Sequence, residues 1–123
     1  MPLLVLVVGH RLAAPARLAA AKARLDTLGW YPRPVSLRGV RVLHAPWFFR
    51  LPFVRRFDGY AAWCLILLRR PLQETADDLI THELTHVWQM QHHPVTMPLS
   101  YLRVGYDANP YEAEAREAVR LTR

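Results

Sequence analysis

Cysteine is almost absent from this 123-residue chain, with Cys64 the only one. A lone cysteine excludes an intrachain disulfide, so nothing in the sequence calls for an oxidising compartment. Cys64 sits in an apolar run without an adjacent histidine or cation, which predicts a buried spectator thiol rather than a nucleophile. Lysine is equally scarce: Lys22 stands against fifteen arginines. No stretch approaches the ~18 apolar residues that a bilayer-spanning helix needs. The short run Leu3-Leu4-Val5-Leu6-Val7-Val8 has its arginines after it rather than before it, the reverse of a secretory signal. A soluble cytoplasmic protein is therefore the expectation. Only five glycines against ten prolines predict a chain with several sharp corners, and there is no internal repeat or low-complexity tract.

What is present fits one compact domain over residues 1–123: hydrophobic content is 52% and charged content 21%, which argues against disorder. The net charge of +6 invites an anionic partner. The arginines are scattered, however, and the aromatics fall mostly in apolar runs. With no nucleic-acid motif either, specific nucleic-acid binding is not expected. The sequence carries no signal for an oligomeric state.

In chain order, residues 3–8 read as a buried strand or the start of a helix. Pro15 suits the first turn of a helix running to about Leu28, with Leu18, Ala21, Leu25 and Leu28 on one face and Gly29 as its stop. Pro32-Arg33-Pro34 is a corner, and residues 40–44 alternate like a half-buried strand. Residues 47–56, from Trp47 to Arg56, interleave aromatics with Arg50, Arg55 and Arg56. They form either a contact patch for a membrane or protein partner, or a loop packing its aromatics on the core, and the second reading is preferred. Asp58-Gly59 is a turn, and residues 60–68 read as one strand, pairing as a hairpin with 40–44. The domain thus divides into residues 1–55 (N-terminal helix, first strand and aromatic-basic loop) and residues 56–123 (strand and two helices).

The first of those helices, residues 76–92, carries the chemistry. Thr75 and Asp78 form a capping box, Asp77 and Asp78 match the positive helix end, and Pro94 stops the helix near His92. Within it stands His82-Glu83-Leu84-Thr85-His86. Residues four apart project from one helix face, so both imidazoles can reach one metal ion, and Glu83 sits beside that face as a base for a water molecule. The bland alternative is two surface histidines flanking a solvated glutamate. Leu79, Ile80, Leu84, Val87 and Trp88 instead make the helix apolar on several sides, and buried histidines and a glutamate are costly unless something satisfies them. A metal ion would.

A catalytic zinc takes three protein ligands. Asn109 and Pro110 open a second helix toward Arg120. Glu112 shares its inner face with Ala115 and Val119, whereas Glu114 lies with Glu117 and Leu121 on a more solvated side. Glu112 is the preferred third ligand. Capping of Asn109 and pairing with Arg116 stay open as its alternatives, as do Glu114 or a histidine as the ligand, or no third ligand at all. His92 and His93 read as polar groups at the helix end.

His82-Glu83-x-x-His86, followed 26 residues later by Glu112, resembles the gluzincin metallopeptidases. The stretch HELTHVWQ is similar to small bacterial domains of unknown function bearing H-E-L-T-H-V-x-Q, some associated with contractile-injection-system proteins. Glu112-Ala113-Glu114-Ala115-Arg116 is similar to the E-x-x-A-D ligand motif of membrane-bound CAAX-type metallopeptidases. In that match Glu112 is the ligand, Ala115 the small packing residue, and Arg116 replaces an aspartate that orients a histidine ligand. The resemblance covers about residues 60–120 and implies an α+β fold. That fold is a minimal zincin-like domain with a short twisted sheet against the active-site helix and flanking helices, its edge strand taking a peptide by strand addition.

It also implies a zinc peptidase in which His82, His86 and Glu112 bind Zn2+ and Glu83 is the general base, with a peptide or protein as substrate. Tyr101, Tyr106 and His93 are candidates for the oxyanion donor, with Tyr106 preferred. The enzyme is either active or latent, its cleft filled by its own terminus or a second copy. The alternatives are a zinc-binding pseudoenzyme or accessory module of a larger assembly, and a basic domain that binds surfaces through residues 47–56.

Overall fold

A computed structural model describes the backbone of residues 2–123 and the side chains of residues 14–123. Among them the fold is α+β. Its elements are α1 (Pro2–Asp26), β1 (Arg41–His44), β2 (Gly59–Ala62), β3 (Leu65–Leu68), α2 (Asp77–His92), α3 (Thr96–Val104) and α4 (Pro110–Thr122). Single 3-10 turns occupy Phe48–Arg50 and Leu72–Glu74. No helix of the described residues is long and apolar enough to cross a membrane.

α1 starts earlier than its sequence suggests. Pro15 lies inside it rather than in its first turn, and residues 3–8 are helical, although their side chains are outside the described set. Proline's fixed φ is helical, and its missing N–H forfeits one ladder bond without stopping the helix here. Leu18, Ala21 and Leu25 are buried as their spacing predicts, and Gly29 follows the helix with a left-handed φ of +62°.

The sheet corrects two expectations. Residues 60–68 are not one strand but a tight antiparallel hairpin of β2 and β3, in which Gly59 faces Leu68 and Ala62 faces Leu65. The chain reverses at Trp63 and Cys64, and Trp63 takes a positive φ of 52°. Anchors at this corner hold that conformation: Trp63 N–H meets Met90 Sδ at 3.1 Å, and its indole N–H donates to Pro94 O at 3.1 Å. Cys64 is consequently exposed at the turn, not buried. Residues 40–44 also do not form a hairpin with this segment, because β1 runs parallel to β3, from Arg41 opposite Leu65 to His44 opposite Leu68. The strand order is β1-β3-β2, which makes β2 an edge. Between β1 and β2, Phe49 and Val54 pack into a small cluster with Ala45 and Leu67, while Trp47 and Phe53 stay exposed.

α2 is the central element. It packs against α1, α4 and β2, and from Ile80 to Met90 every residue but His82 is buried. Its start differs from the expected capping box. Ala76 is the N-cap without a side-chain bond, and Thr75 Oγ1 donates backward to Pro71 O at 3.0 Å. Arg17 of α1 clamps this end instead, donating to Leu72 O at 2.9 Å, Thr75 O at 2.6 Å and Asp77 Oδ1 at 2.8 Å.

α3, which no sequence signal announced, ends at Gly105 with φ +81°. α4 begins as read, with Asn109 Oδ1 accepting from Tyr111 N–H at 2.8 Å and Pro110 in its first turn. Asn109 Nδ2 also donates to Ser100 Oγ at 2.9 Å, which ties α3 to the head of α4.

Candidate metal centre

Three donors converge where α2 meets α4. His82 and His86 sit one turn apart on α2, with ring centroids 4.8 Å from each other. The buried residues Ala115 and Ala118 let α4 come close to α2, and Glu112, 1% exposed, reaches both rings. His82 Nε2 is 2.7 Å from Glu112 Oε1, and His86 Nε2 is 3.0 Å from Glu112 Oε2. Glu112 therefore neither caps Asn109, whose N–H donates to Tyr106 O at 3.2 Å, nor turns to Arg116 at the surface.

One ligand atom from each of His82, His86 and Glu112 lies within 4.8 Å of the others. Tetrahedral ligands at ~2.1 Å from a zinc ion are about 3.4 Å apart, so the set is compact enough for a single ion. Two imidazoles and a carboxylate are also the donor types that zinc prefers.

Glu83 completes the group. It is 4% exposed, and its Oε2 is buried with no hydrogen-bond partner among the described residues. A buried polar atom left unpaired costs about 1–3 kcal/mol, so one in a folded chain marks strain, function or a missing ligand. Glu83, His86 and Glu112 line one cavity of about 440 Å³, together with Tyr101, Tyr106 and the residues of β2.

The electrostatics follow from burial and proximity. Burial pushes the Glu83 carboxyl above the ordinary carboxylate range, against the charges of His86 and His82. Burial would raise Glu112 as well, but its hydrogen bonds to His82 and His86 and their charges hold it well below that range. For His86, burial opposes the charge, yet the bond to Glu112 and the charges of Glu83 and Glu112 outweigh it and raise the imidazole. Burial first, then Glu112, push the Tyr101 and Tyr106 hydroxyls up, so both stay protonated donors.

Both tyrosines stand by Glu112, and beyond burial a hydrogen bond to its carboxylate helps raise each hydroxyl. Tyr101 OH donates to Glu112 Oε2 at 2.9 Å, so it holds the carboxylate. Tyr106 lines the cavity with its ring 4.5 Å from Phe57 and the Arg56 guanidinium stacked over it at 4.7 Å. His92 and His93 stand apart from the donor set: the His92 ring stacks on Tyr31 at 5.0 Å, with His93 edge-on to the same ring.

Glu114 is half-buried, on a more solvated side than Glu112 as expected, and it accepts from the Tyr31 hydroxyl and from Gln89 Nε2. One residue was not singled out from the sequence. Gln89, fully buried, places Oε1 2.8 Å from His86 Nδ1. Its position three residues after His86, on the same helix face, is the signal that could have found it. Comparison with models of known protein families, with curated proteins and with solved structures finds no match to this chain.

Proposed function

We propose that this chain is a zinc-dependent peptidase of zincin-like architecture. The observation that carries the reading is Glu83: a buried carboxylate with an unpartnered oxygen, facing the cavity beside three convergent metal-ligand side chains. His82, His86 and Glu112 would hold the ion. When bound, zinc supplies Lewis acidity that polarises a carbonyl and brings a water pKa toward ~7.

The chain's own residues do the rest. Glu83 Oε2 accepts the proton of the attacking water and returns it to the leaving amine, a task suited to a carboxyl with a raised pKa. Tyr101 anchors Glu112, and Tyr106 is the cavity donor for the developing oxyanion. β2 pairs only with β3 among the described strands, and its residues line the cavity, so its free edge offers backbone groups to an extended peptide. The partner is a peptide or protein and not a specific nucleic acid, and the single exposed Cys64 fits a reducing cytoplasm.

The test is metal analysis beside hydrolysis of a peptide library. Stoichiometric zinc with turnover that Glu83→Gln abolishes supports the reading. Stoichiometric zinc without turnover, with the fold lost on chelation, would instead make the chain a zinc-stabilised accessory module.

A further inference from the structure

The Gln89 carboxamide has a polarity that its neighbours dictate. Its Nε2 lies 2.9 Å from Tyr111 O and 3.0 Å from Glu114 Oε1, a carbonyl and a carboxylate oxygen that both accept. A carboxamide offers one donor end and one acceptor end. The nitrogen must face those two oxygens, which turns Oε1 toward His86 Nδ1 at 2.8 Å. An amide oxygen accepts only, so Nδ1 carries the hydrogen and the neutral ring keeps its lone pair on Nε2. That is the atom 3.0 Å from Glu112 Oε2. In the neutral ring two lone pairs meet there, a contact that either a proton on Nε2 or a metal ion between the two atoms resolves.

From this geometry we infer that Gln89 is a positioning residue, which sets the His86 tautomer and ring angle so that Nε2 is presented as a metal ligand. The chain of orientation continues outward. Glu114 fixes the Gln89 amide, and Tyr31, from the segment after α1, donates its hydroxyl to the same Glu114 oxygen. Histidine ligands are commonly held at their far nitrogen by a carboxylate or carbonyl. Here the carboxylate sits one residue further out, and a neutral amide in contact with the ring carries its polarity inward. The inference rests on the zinc reading for the choice of ligand only, since the tautomer is a property of the chain alone.

The experiment uses the full chain with 15N-labelled histidine and two readouts. One is the pair of His86 ring 15N shifts in metal-free protein above the imidazole titration, and the other is zinc affinity by chelator competition. The parent is expected to show Nδ1–H at His86. Gln89→Leu is expected to mix the tautomers and weaken zinc about 10–100-fold. Gln89→Glu alone sets two carboxylates against each other. The swap Gln89→Glu with Glu114→Gln restores an acceptor toward His86 Nδ1 and a donor from residue 114 but sets a carboxylate oxygen against Tyr111 O, so it is expected to recover the Nδ1–H tautomer and only part of the affinity.

Gln91→Ala is the structural control. Gln91 clamps the Ser36 backbone through bonds of 2.9 and 2.8 Å, so its loss is expected to lower stability and leave His86 unchanged. An Nε2–H tautomer in the parent overturns the inference, as does a Gln89→Leu protein with parental tautomer and zinc affinity. The parent measurement and the swap decide the matter even when Gln89→Leu does not fold. Nδ1–H at His86 in a chain that binds no zinc supports the positioning role and overturns the peptidase reading.

Discussion

Gly59 lies against Glu83 so closely that a methyl group on it would stand 3.1 Å from Glu83 Cγ and 3.3 Å from Cδ. The first residue of the edge strand is thus in van der Waals contact with the candidate base, and its lack of a side chain sets how near β2 comes to α2. The requirement is for space, because Gly59 does not need a left-handed backbone.

Gly59→Ala tests that contact. The added methyl must displace Glu83, Leu79 or the strand, at a cost of about 1–3 kcal/mol in stability. On the proposed function, a displaced base loses its line to the water, and a misplacement of about 1 Å can cost ~10²-fold in rate. The expected result is a protein with full zinc content, a lowered melting temperature and kcat/KM reduced at least tenfold. Parental kcat/KM would show that β2 does not position the base.

Glu83 also makes stability depend on pH in a definite direction. Its folded pKa is raised by burial, so its contribution is intact below the unfolded carboxylate value, about 4.5, and is lost as pH rises through the folded value. In metal-free protein, Glu83→Gln is therefore expected to match the parent near pH 4. It should exceed the parent progressively above that, by on the order of 1–3 kcal/mol once Glu83 is ionised. Urea unfolding in chelator across this range measures the gap. A difference that does not vary with pH would mean that the buried charge is compensated elsewhere.

Much of this site is legible in the sequence because its signals are local. Asn109-Pro110 opens α4, Pro94 closes α2, and helix periodicity alone puts His82 with His86 and places Glu112 inward with Ala115 and Val119. What escaped is non-local. An apolar run such as residues 60–68 has no period to show where it folds back, and the reversal at Trp63 uses neither glycine nor asparagine. The parallel partnership of β1 with β3 depends on a chain path that no short window contains. The partners of Glu114 were hidden for a related reason: a helical wheel assigns faces relative to one helix, whereas the groups that bond Glu114 come from α2 and from Tyr31.

The donor set makes a graded prediction for metal binding. His82→Ala, His86→Ala and Glu112→Ala each remove one of three ligands and are expected to abolish stoichiometric zinc at micromolar concentration. Glu112→Ala carries a further cost, since it strips His82, His86 and Tyr101 of a shared partner. Its metal-free form is expected to be the least stable of the three, by about 1–3 kcal/mol relative to the parent. Metal analysis and denaturant melts on the same samples check both points. Retained zinc in Glu112→Ala would remove Glu112 from the ligand set.

On the proposed function, the two cavity tyrosines are expected to differ, Tyr101 supporting the ligand and Tyr106 serving the oxyanion. Tyr101 donates to Glu112 Oε2 at 2.9 Å, so Tyr101→Phe frees a carboxylate that must stay in place to bind metal. Losing such a supporting bond typically weakens metal affinity about 10–100-fold. Tyr106 is also raised in pKa, by burial first and then by the charge of Glu112 and a hydrogen bond to it, and its ring is braced by Phe57 and Arg56 at the cavity wall. Tyr106→Phe is accordingly expected to spare most of the zinc affinity and to cut kcat about 10²–10³-fold with little change in KM. Chelator competition and steady-state kinetics on the two variants resolve the assignment. If zinc binding falls equally in both, the hydroxyls form one support for Glu112, and the oxyanion donor must be sought elsewhere on the cavity wall.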